Sequence, residues 1–219
     1  MEIGIVGSGM VGGAVGKLWA KAGHRVFFSS RHPTQLDGLV ADVGPNAQCG
    51  NVDEAIAFGE VLLVSIPYNA LAAFGENYRS QLAGKIVMET GNPYFQRDGN
   101  LAGEILDSRL GTGHWSARFL PGTRLVRAYN SVWDRTLVNE AHRTPQSLNI
   151  TRDVVMRVGV PLASDDAEAM EIVAGLVRDS GFDPVCVGPL SRAREFDIGM
   201  PVFNTNMSGI EIRQALGVR

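Results

Sequence analysis

The 219-residue sequence has few residues that could build a disulfide framework, a metal site or an acid–base relay. Its two cysteines, Cys49 and Cys186, lie far apart and outside any C-x-x-C motif, which favours buried thiols in a reducing cytosol. The four histidines have neither metal-ligand spacing nor the pattern of a nucleophile relay. The lysines all lie in the N-terminal half, so the C-terminal half offers no amine as a proton donor. These residues are His24, His32, His114 and His142, and Lys17, Lys21 and Lys85.

The sequence also has little net charge and no long apolar run. A formal charge of −3 gives no electrostatic reason to expect nucleic acid or an anionic membrane as a partner. Its apolar runs, such as residues 61–67, are far too short to span a bilayer, and the chain begins directly on a predicted strand, which argues against a signal peptide. With 45% hydrophobic and 20% charged residues, we expect a globular cytoplasmic protein.

A glycine-rich motif, G-x-G-x-x-G, stands between a predicted strand at residues 3–6 and a predicted helix at 11–22. Gly7 would allow the tight turn, Gly9 would let a pyrophosphate approach the backbone, and Gly12 would let the helix pack against the strand. The helix N-terminus adds unpaired N–H groups and a partial positive charge. The motif therefore predicts a dinucleotide site formed by Gly7, Ser8, Gly9, Met10, Val11 and Gly12.

The end of the second predicted strand, at residues 25–28, favours NADP(H) over NAD(H). NAD enzymes usually carry Asp or Glu here for the ribose 2′-hydroxyl. This sequence has Ser29, Ser30, Arg31 and His32 instead. Hydroxyl groups and a guanidinium suit a 2′-phosphate, because Arg binds phosphate oxygens as a bidentate fork. The alternative is that Arg31 is a solvated loop residue.

Strand and helix patterns alternate along the chain, which predicts an α/β fold with a doubly wound, Rossmann-type, mostly parallel sheet. We expect one NADP-binding domain over residues 1–219, with about 190–219 as a C-terminal segment at the acceptor site or a dimer contact. A weak helix is expected at 33–40, with Gly38 counting against it, and a helix at 71–82 that Gly75 would break. Further strands are predicted at 46–49, 61–67, 85–89, 124–130, 154–162 and 184–187, helices at 51–58, 114–119, 165–177 and 210–216, and a long loop at 139–152.

Ligands of open α/β sheets bind beyond the carboxyl ends of the strands. This rule collects further candidate residues around one crevice, where the nicotinamide would lie. An apolar wall matters there, because hydride transfer needs positioning and exclusion of water more than it needs an acid or a base. The candidates are Ser65, Ile66, Pro67, Tyr68 and Asn92 for cofactor binding, and Tyr129 and Asn130 as catalytic residues.

Several segments together resemble the NADP oxidoreductases that depend on coenzyme F420, a deazaflavin, almost from end to end. They are GSGMVG, SSR, VLLVSIP, LPGTRLVRAYNSV, ASDDAEA and GFDPVCVGPLSRAREFD. The same module resembles the cytosolic domain of six-transmembrane metalloreductases. The resemblance implies that residues 7–11 hold the pyrophosphate, Ser30 and Arg31 the 2′-phosphate, and residues 65–67 with 129–130 the nicotinamide end. Family members often have Phe where Tyr129 stands, and this difference would put a hydroxyl near the hydride path.

The resemblance implies hydride transfer between NADP(H) and a flavin-like acceptor, with a deazaflavin as first choice. The alternatives are reduction of another small acceptor (flavin, ferric chelate, imine or quinone) or a non-catalytic NADPH-sensing module. The acceptor and the direction of transfer stay open. A homodimer is expected because apolar residues are frequent near the C-terminus, although they could instead pack on their own sheet. These residues are Ile198, Met200, Val202, Phe203, Met207, Ile210 and Leu216.

Overall fold

A computed structural model of the protein describes residues 1–143 and 156–218. The described residues form an eight-stranded sheet with helices on both faces, in the strand order β3-β2-β1-β4-β5-β6-β7-β8. The strands are β1 (Glu2–Val6), β2 (Arg25–Ser29), β3 (Ala47–Gly50), β4 (Val61–Val64), β5 (Ile86–Glu89), β6 (Arg124–Arg127), β7 (Gly159–Ala163) and β8 (Asp183–Gly188). The helices are α1 (Met10–Lys21), α2 (Asp37–Val43), α3 (Val52–Phe58), α4 (Leu71–Asn77), α5 (Arg79–Leu82), α6 (Phe95–Asp98), α7 (Asn100–Asp107), α8 (Gly111–Phe119), α9 (Asp134–Asn139), α10 (Ala167–Asp179) and α11 (Gly209–Leu216).

The first six strands are parallel, which confirms the expected Rossmann-type fold. The direction reverses once, where β7 pairs antiparallel to β6 through Arg127 and Ala163. β8 then runs parallel to β7. The reversal was not predicted from the sequence, because a short buried strand has the same apolar pattern in either direction.

Helices cover both faces of the sheet, and alternate strand residues point to opposite faces, so the residues of one strand belong to two cores. Val61 and Leu63 of β4 belong to the core on one face, together with apolar residues of α1 and α10. Leu62 and Val64 belong to the core on the other face, with residues of α4. On the first face Trp19 connects α1 to α10, because its buried indole N–H donates to the Leu176 carbonyl of α10 at 2.8 Å.

The helix starts of α3 and α10 are capped by side chains. Asn51 and Glu54 form a complete capping box at α3, each side chain accepting from the other's backbone N–H. Asp166 caps α10 by accepting from Ala169 N, and its carboxylate also pairs with Arg124. That pairing, mainly through the Arg124 hydrogen bond, lowers the pKa of Asp166 to about 2.

The prediction that Gly75 breaks a helix was wrong. Gly75 lies inside α4, and a Cβ there would lie 1.7 Å from the Phe119 carbonyl oxygen, so glycine lets α4 approach the end of α8 closely. The break comes at Tyr78, between α4 and α5. The weak helix expected at 33–40 is present as a 3₁₀ turn at Pro33–Leu36 that continues into α2, and Gly38 lies inside α2.

Some elements were not predicted from the sequence, and some predicted elements lie partly outside the described residues. α6, α7 and a 3₁₀ segment at Leu190–Phe196 were missed. α9 extends to Asn139, where the predicted loop was to begin, and residues 144–155, which include most of that loop and the predicted start of β7, lie outside the described residues. Each helix in the described part of the chain is too short or too polar to cross a bilayer.

The expectation that both thiols are buried is wrong for Cys186, which is exposed.

The apolar residues near the C-terminus are partly covered by the protein itself. Val202 is buried within the protein's own core, with Met207 and Leu216 packed beside it. Met200 and Ile210 remain 41% and 48% exposed. The homodimer therefore stays a prediction that rests on fewer side chains.

Two helical glycines allow a matched test of this packing. Gly38→Ala should raise the free energy of unfolding by up to about 1 kcal/mol, because nothing lies within 4 Å of the new methyl and alanine favours the helix. Gly75→Ala should lower it by about 3 kcal/mol, because the methyl collides with the Phe119 carbonyl. Denaturant-induced unfolding measures both. A Gly75→Ala variant as stable as the parent protein would contradict the close approach of α4 to α8.

Candidate functional site

A cavity of about 390 Å³ opens beyond the carboxyl ends of β1, β4, β5 and β6. It begins at the N-terminus of α1 and extends across the strand ends towards β6. The C-terminal segment completes one of its walls. The lining residues are Gly9, Met10, Val11, Ser65, Ile66, Pro67, Thr90, Gly91, Asn92, Tyr94, Arg97, Tyr129, Asn130, Val132, Trp133, Asp134 and Asn204.

The glycine loop has the geometry that the motif predicts. Gly7 has a φ of +93°, and a Cβ there would lie 2.4 Å from the Ser65 carbonyl oxygen. A Cβ at Gly12 would lie 2.1 Å from the Gly7 carbonyl oxygen, so this position also requires glycine. Gly9 differs, because a Cβ there would meet nothing within 4 Å and it precedes α1 without a side-chain cap. The space in front of the α1 N–H groups is therefore open to a ligand.

Of the four residues expected at the 2′-phosphate, Ser29 is buried and the other three are half-buried or exposed. Ser29 is fully buried, and its hydroxyl donates to the Ile5 carbonyl at 2.7 Å, so it braces β2 against β1. Its own carbonyl accepts from Ser8 Oγ at 3.1 Å, so Ser29 contributes by holding the glycine loop. Ser30 is half-buried and accepts from His32 N at 3.1 Å. Arg31 is exposed, and its guanidinium has no hydrogen-bond or ion-pair partner within the described residues.

The wall after β4 is formed by Ser65, Ile66 and Pro67, as expected. Tyr68 does not line the cavity, which corrects its place among the cofactor-binding residues. Its ring is fully buried behind the wall, and its hydroxyl bonds to the Thr112 carbonyl at 3.1 Å and to Ser116 Oγ at 2.9 Å. Burial, reinforced by the Glu89 charge, raises the pKa of Tyr68 above its ordinary value.

Asn92 and Asn130 lie side by side at the end of the cavity near β6. Asn92 Nδ2 donates to the Asn130 carbonyl at 2.7 Å, and Asn130 Nδ2 lies 3.5 Å from Asn92 Oδ1 and 3.4 Å from the Phe196 carbonyl. Asn130 is 3% exposed, and its Oδ1 has no partner within the described residues. A buried acceptor without a donor is costly, so Oδ1 is suited to a ligand N–H group.

Tyr129 lines the cavity, but its hydroxyl lies in the core. The residue has a φ of +60° and is only 1% exposed. Its ring meets Trp19 edge-on, and its hydroxyl bonds to Ser180 Oγ at 2.8 Å. Burial raises the pKa of Tyr129, so the hydroxyl is a poor acid or base. The expectation of a hydroxyl near the hydride path was wrong.

Sequence reasoning missed several residues of this site because their elements were missed. Tyr94 and Arg97 belong to the start of α6, and the Arg97 guanidinium donates to the Asn92 carbonyl at 2.6 Å. Trp133 and Asp134 lie at the start of α9. Asn204 comes from the C-terminal segment, where its N–H donates to the Ser131 carbonyl at 2.8 Å and its φ is +52°. Tyr94 follows Gly91, Asn92 and Pro93, which are typical of a loop, and this is a local signal for part of the set.

The site contains no metal centre in the described part of the chain, since no three His, Cys, Asp or Glu side chains there are grouped to hold an ion. Its chemistry must therefore be argued from other features of the described residues. Those features are an open helix N-terminus at one end, an apolar wall in the middle, and a buried amide acceptor at the other end.

Comparison with known proteins agrees with this geometry. Residues 2–93 match the family model described as coenzyme F420-dependent NADP oxidoreductase. Metalloreductase STEAP3 of Rattus norvegicus is 28% identical over 201 residues, which are 90% of this chain and 36% of that protein. The chain thus spans little more than a third of the length of that relative. These matches confirm the expected relationship to NADP-dependent oxidoreductases.

Solved structures confirm the fold over nearly the whole chain. A hypothetical protein from Sinorhizobium meliloti matches with a TM-score of 0.77 at 21% identity, covering 95% of each chain. A candidate F420-dependent NADP-reductase from Arthrobacter matches with a TM-score of 0.72 at 22% identity, covering 100% of this chain and 96% of that one. At these identities the similarity concerns the fold alone.

Proposed function

We propose that this protein is an NADP(H)-dependent oxidoreductase that transfers hydride between the nicotinamide and a flavin-like acceptor, with a deazaflavin such as coenzyme F420 as the first choice. The main support is the cavity of about 390 Å³, which joins an open helix N-terminus to a buried amide oxygen that has no partner among the described residues. The family match over residues 2–93 supports the cofactor and suggests the acceptor.

The N-terminal end of the cavity would bind the phosphates. Backbone N–H groups at the start of α1 would face the pyrophosphate, and Gly9 leaves the space for it. Ser8, Met10 and Val11 would lie along the same phosphates. Ser30, Arg31 and His32 would surround the 2′-phosphate, to which the exposed guanidinium of Arg31 could turn. Ser29 would contribute only by holding the loop through Ser8.

The other end of the cavity would orient the reacting rings. When bound, NADP(H) supplies or takes up a hydride at its nicotinamide ring. Ile66 and Pro67 would exclude water from that ring. Asn130 Oδ1 would accept a hydrogen bond from an amide N–H of the cofactor or the acceptor, held in place by Asn92. No side chain needs to act as an acid or a base, because hydride transfer between stacked rings moves no proton at the protein.

A second acceptor class follows from the relative whose printed name is metalloreductase. That name favours a ferric chelate over an imine or a quinone. Because ferric iron accepts one electron and no hydride, a flavin would take the hydride and pass one electron to each of two ferric ions. A third possibility is a module that binds NADPH without turning it over and signals through a partner protein. The three hypotheses (a deazaflavin acceptor, another acceptor, and a sensing module) share the cofactor site. They differ in which acceptor, if any, enters the cavity beside Asn130.

Oxidation of NADPH should therefore be followed with a deazaflavin, a flavin and a ferric chelate as acceptors. The proposal predicts the fastest oxidation with the deazaflavin. A faster reaction with flavin or the ferric chelate would favour the second acceptor class. Tight binding of NADPH without oxidation by any of the three would contradict the enzyme and favour the sensing module.

We also propose that the protein works in the cytoplasm as a homodimer. The exposed Met200 and Ile210 of the C-terminal segment are the side chains that a second copy would cover. Neither residue lines the cofactor cavity, so the dimer would leave the crevice open.

Arg31→Ala should weaken NADP(H) binding by about 2–3 kcal/mol, because it removes a charge-assisted fork to the 2′-phosphate. NAD(H) binding should change little, so the preference between the cofactors should collapse. Arg25→Ala is the matched control, because Arg25 lies at the opposite end of β2 and pairs with Glu2. Calorimetric titration of both cofactors decides, and equal weakening of NADP(H) and NAD(H) by Arg31→Ala would refute the assignment.

Two substitutions at the end of β6 separate positioning from acid–base catalysis. Tyr129→Phe should slow hydride transfer by less than about tenfold, because a true general acid or base contributes ~10²–10⁴. Its hydroxyl bonds to Ser180 in the core, so the loss should be mainly of stability. Asn130→Ala should cost up to about 10²-fold, because the rings would lose their alignment.

Single-turnover oxidation of NADPH measures this step directly. A large loss for Tyr129→Phe with little loss for Asn130→Ala would reverse the two roles. It would make Tyr129 a proton donor despite its burial, and Asn130 only a cap of the turn after β6.

A further inference from the structure

A charged pair is enclosed at the carboxyl ends of the two neighbouring strands β5 and β6. Arg127 and Glu89 are 0% and 1% exposed, and Arg127 Nη1 donates to the Glu89 carboxylate and, at 3.2 Å, to the Glu89 carbonyl. Burial opposes the guanidinium charge, but Glu89, Tyr68 and Asp197 together outweigh it and raise the pKa of Arg127. Apolar residues of similar volume often stabilise a core as well as such a pair does, so stability alone gives little reason for it.

The pair holds both polar groups of one peptide unit in the cavity wall. Arg127 Nη2 donates to the Gly91 carbonyl at 2.9 Å, and the Gly91 N–H donates to Glu89 Oε1. A Cβ at Gly91 would lie 2.6 Å from Glu89 Oε1, so only glycine lets the loop come this close. Thr90, Gly91 and Asn92 all line the cavity. The ion pair therefore fixes the backbone of this wall.

The fixed wall in turn holds Asn130. Asn92 follows Gly91 directly, and its Nδ2 donates to the Asn130 carbonyl at 2.7 Å. The chain of contacts thus runs from Arg127 through Gly91 and Asn92 to the residue whose Oδ1 is unpaired. Each link is buried, so it is not weakened by competing water.

The same pair is fixed from the far side by α8 and the C-terminal segment. Ser116 Oγ of α8 donates to Glu89 Oε2 at 2.7 Å. Asp197 Oδ1 lies 3.9 Å from Arg127 Nη2, and Asp197 Oδ2 accepts from Thr112 N at 2.8 Å. These contacts hold the guanidinium and the carboxylate in place. Because both groups bond to Gly91, they hold its backbone in place as well.

We propose that Arg127 and Glu89 are positioning residues for hydride transfer: they fix the Gly91–Asn92 backbone and, through it, the orientation of Asn130 at the nicotinamide end. This inference rests on the proposed function. A planar fork is required for it, because one guanidinium must reach both the Glu89 carboxylate and the Gly91 carbonyl. A purely structural charge pair would need only the charge.

Arg127→Lys separates these two roles, because lysine keeps the charge and lacks the fork. We expect the variant to fold, to bind NADPH about tenfold more weakly, and to transfer hydride ~10²-fold more slowly in single turnover. Its affinity for adenosine 2′,5′-bisphosphate, which lacks the nicotinamide, should be unchanged. The double variant Arg127→Met/Glu89→Met replaces the pair with apolar side chains and should show the same selective loss, which keeps the test open if lysine disturbs folding.

The control is Arg124→Met/Asp166→Asn, which removes an ion pair at the opposite end of β6 and keeps an asparagine cap on α10. It should leave both affinities and the rate unchanged. A folded Arg127→Lys or Arg127→Met/Glu89→Met protein with the parent's NADPH affinity and rate would overturn the proposal. If the parent protein binds NADPH but reduces no acceptor, the proposed function fails, while the comparison of the two affinities still decides on positioning.

Discussion

The ion pair between Arg127 and Glu89 is the interaction on which the crevice depends. It joins the ends of β5 and β6 and meets the loop after β5, α8 and the C-terminal segment. Removing one partner of such a buried pair typically costs about 3–5 kcal/mol, because a charge is left uncompensated. The parts of the protein that meet in the crevice come from distant stretches of chain, and this pair brings them to one place.

The crevice is built in two different ways at its two ends. Around α1 the backbone forms the site, through close approaches at Gly7 and Gly12 and open space at Gly9. Around β6 buried polar side chains form it, and each orients the next. The first arrangement suits a ligand common to many enzymes, and the second can be tuned to one acceptor. Residues 2–93, which match the family model, contain the whole of the first arrangement and Glu89, Gly91 and Asn92 of the second.

The sequence predicted the first end of the site better than the second for a physical reason. The glycine loop and the capping box at Asn51 are local, so their residue spacing determines their geometry. Tyr68 and Tyr129 follow strands as the crevice rule requires, yet both hydroxyls bond inside the protein, because side-chain direction depends on partners distant in sequence. Asn204 lines the cavity and Asp197 lies beside Arg127, but both come from the C-terminal segment, and no local pattern marks this approach. Gly75 was misread because a close helix contact and a helix break both call for glycine.

The bond from Trp19 to Leu176 has a consequence for the order in which the chain folds during synthesis. The two residues are 157 positions apart, so the indole lacks its hydrogen-bond acceptor, and α1 its packing against α10, until α10 has left the ribosome. β1 waits as well, because its partner β4 begins only at Val61. A growing chain that already carries a complete glycine loop therefore still exposes a large apolar surface around the indole. We expect fragments ending before α10 to depend on chaperones, however complete their nucleotide-binding residues are.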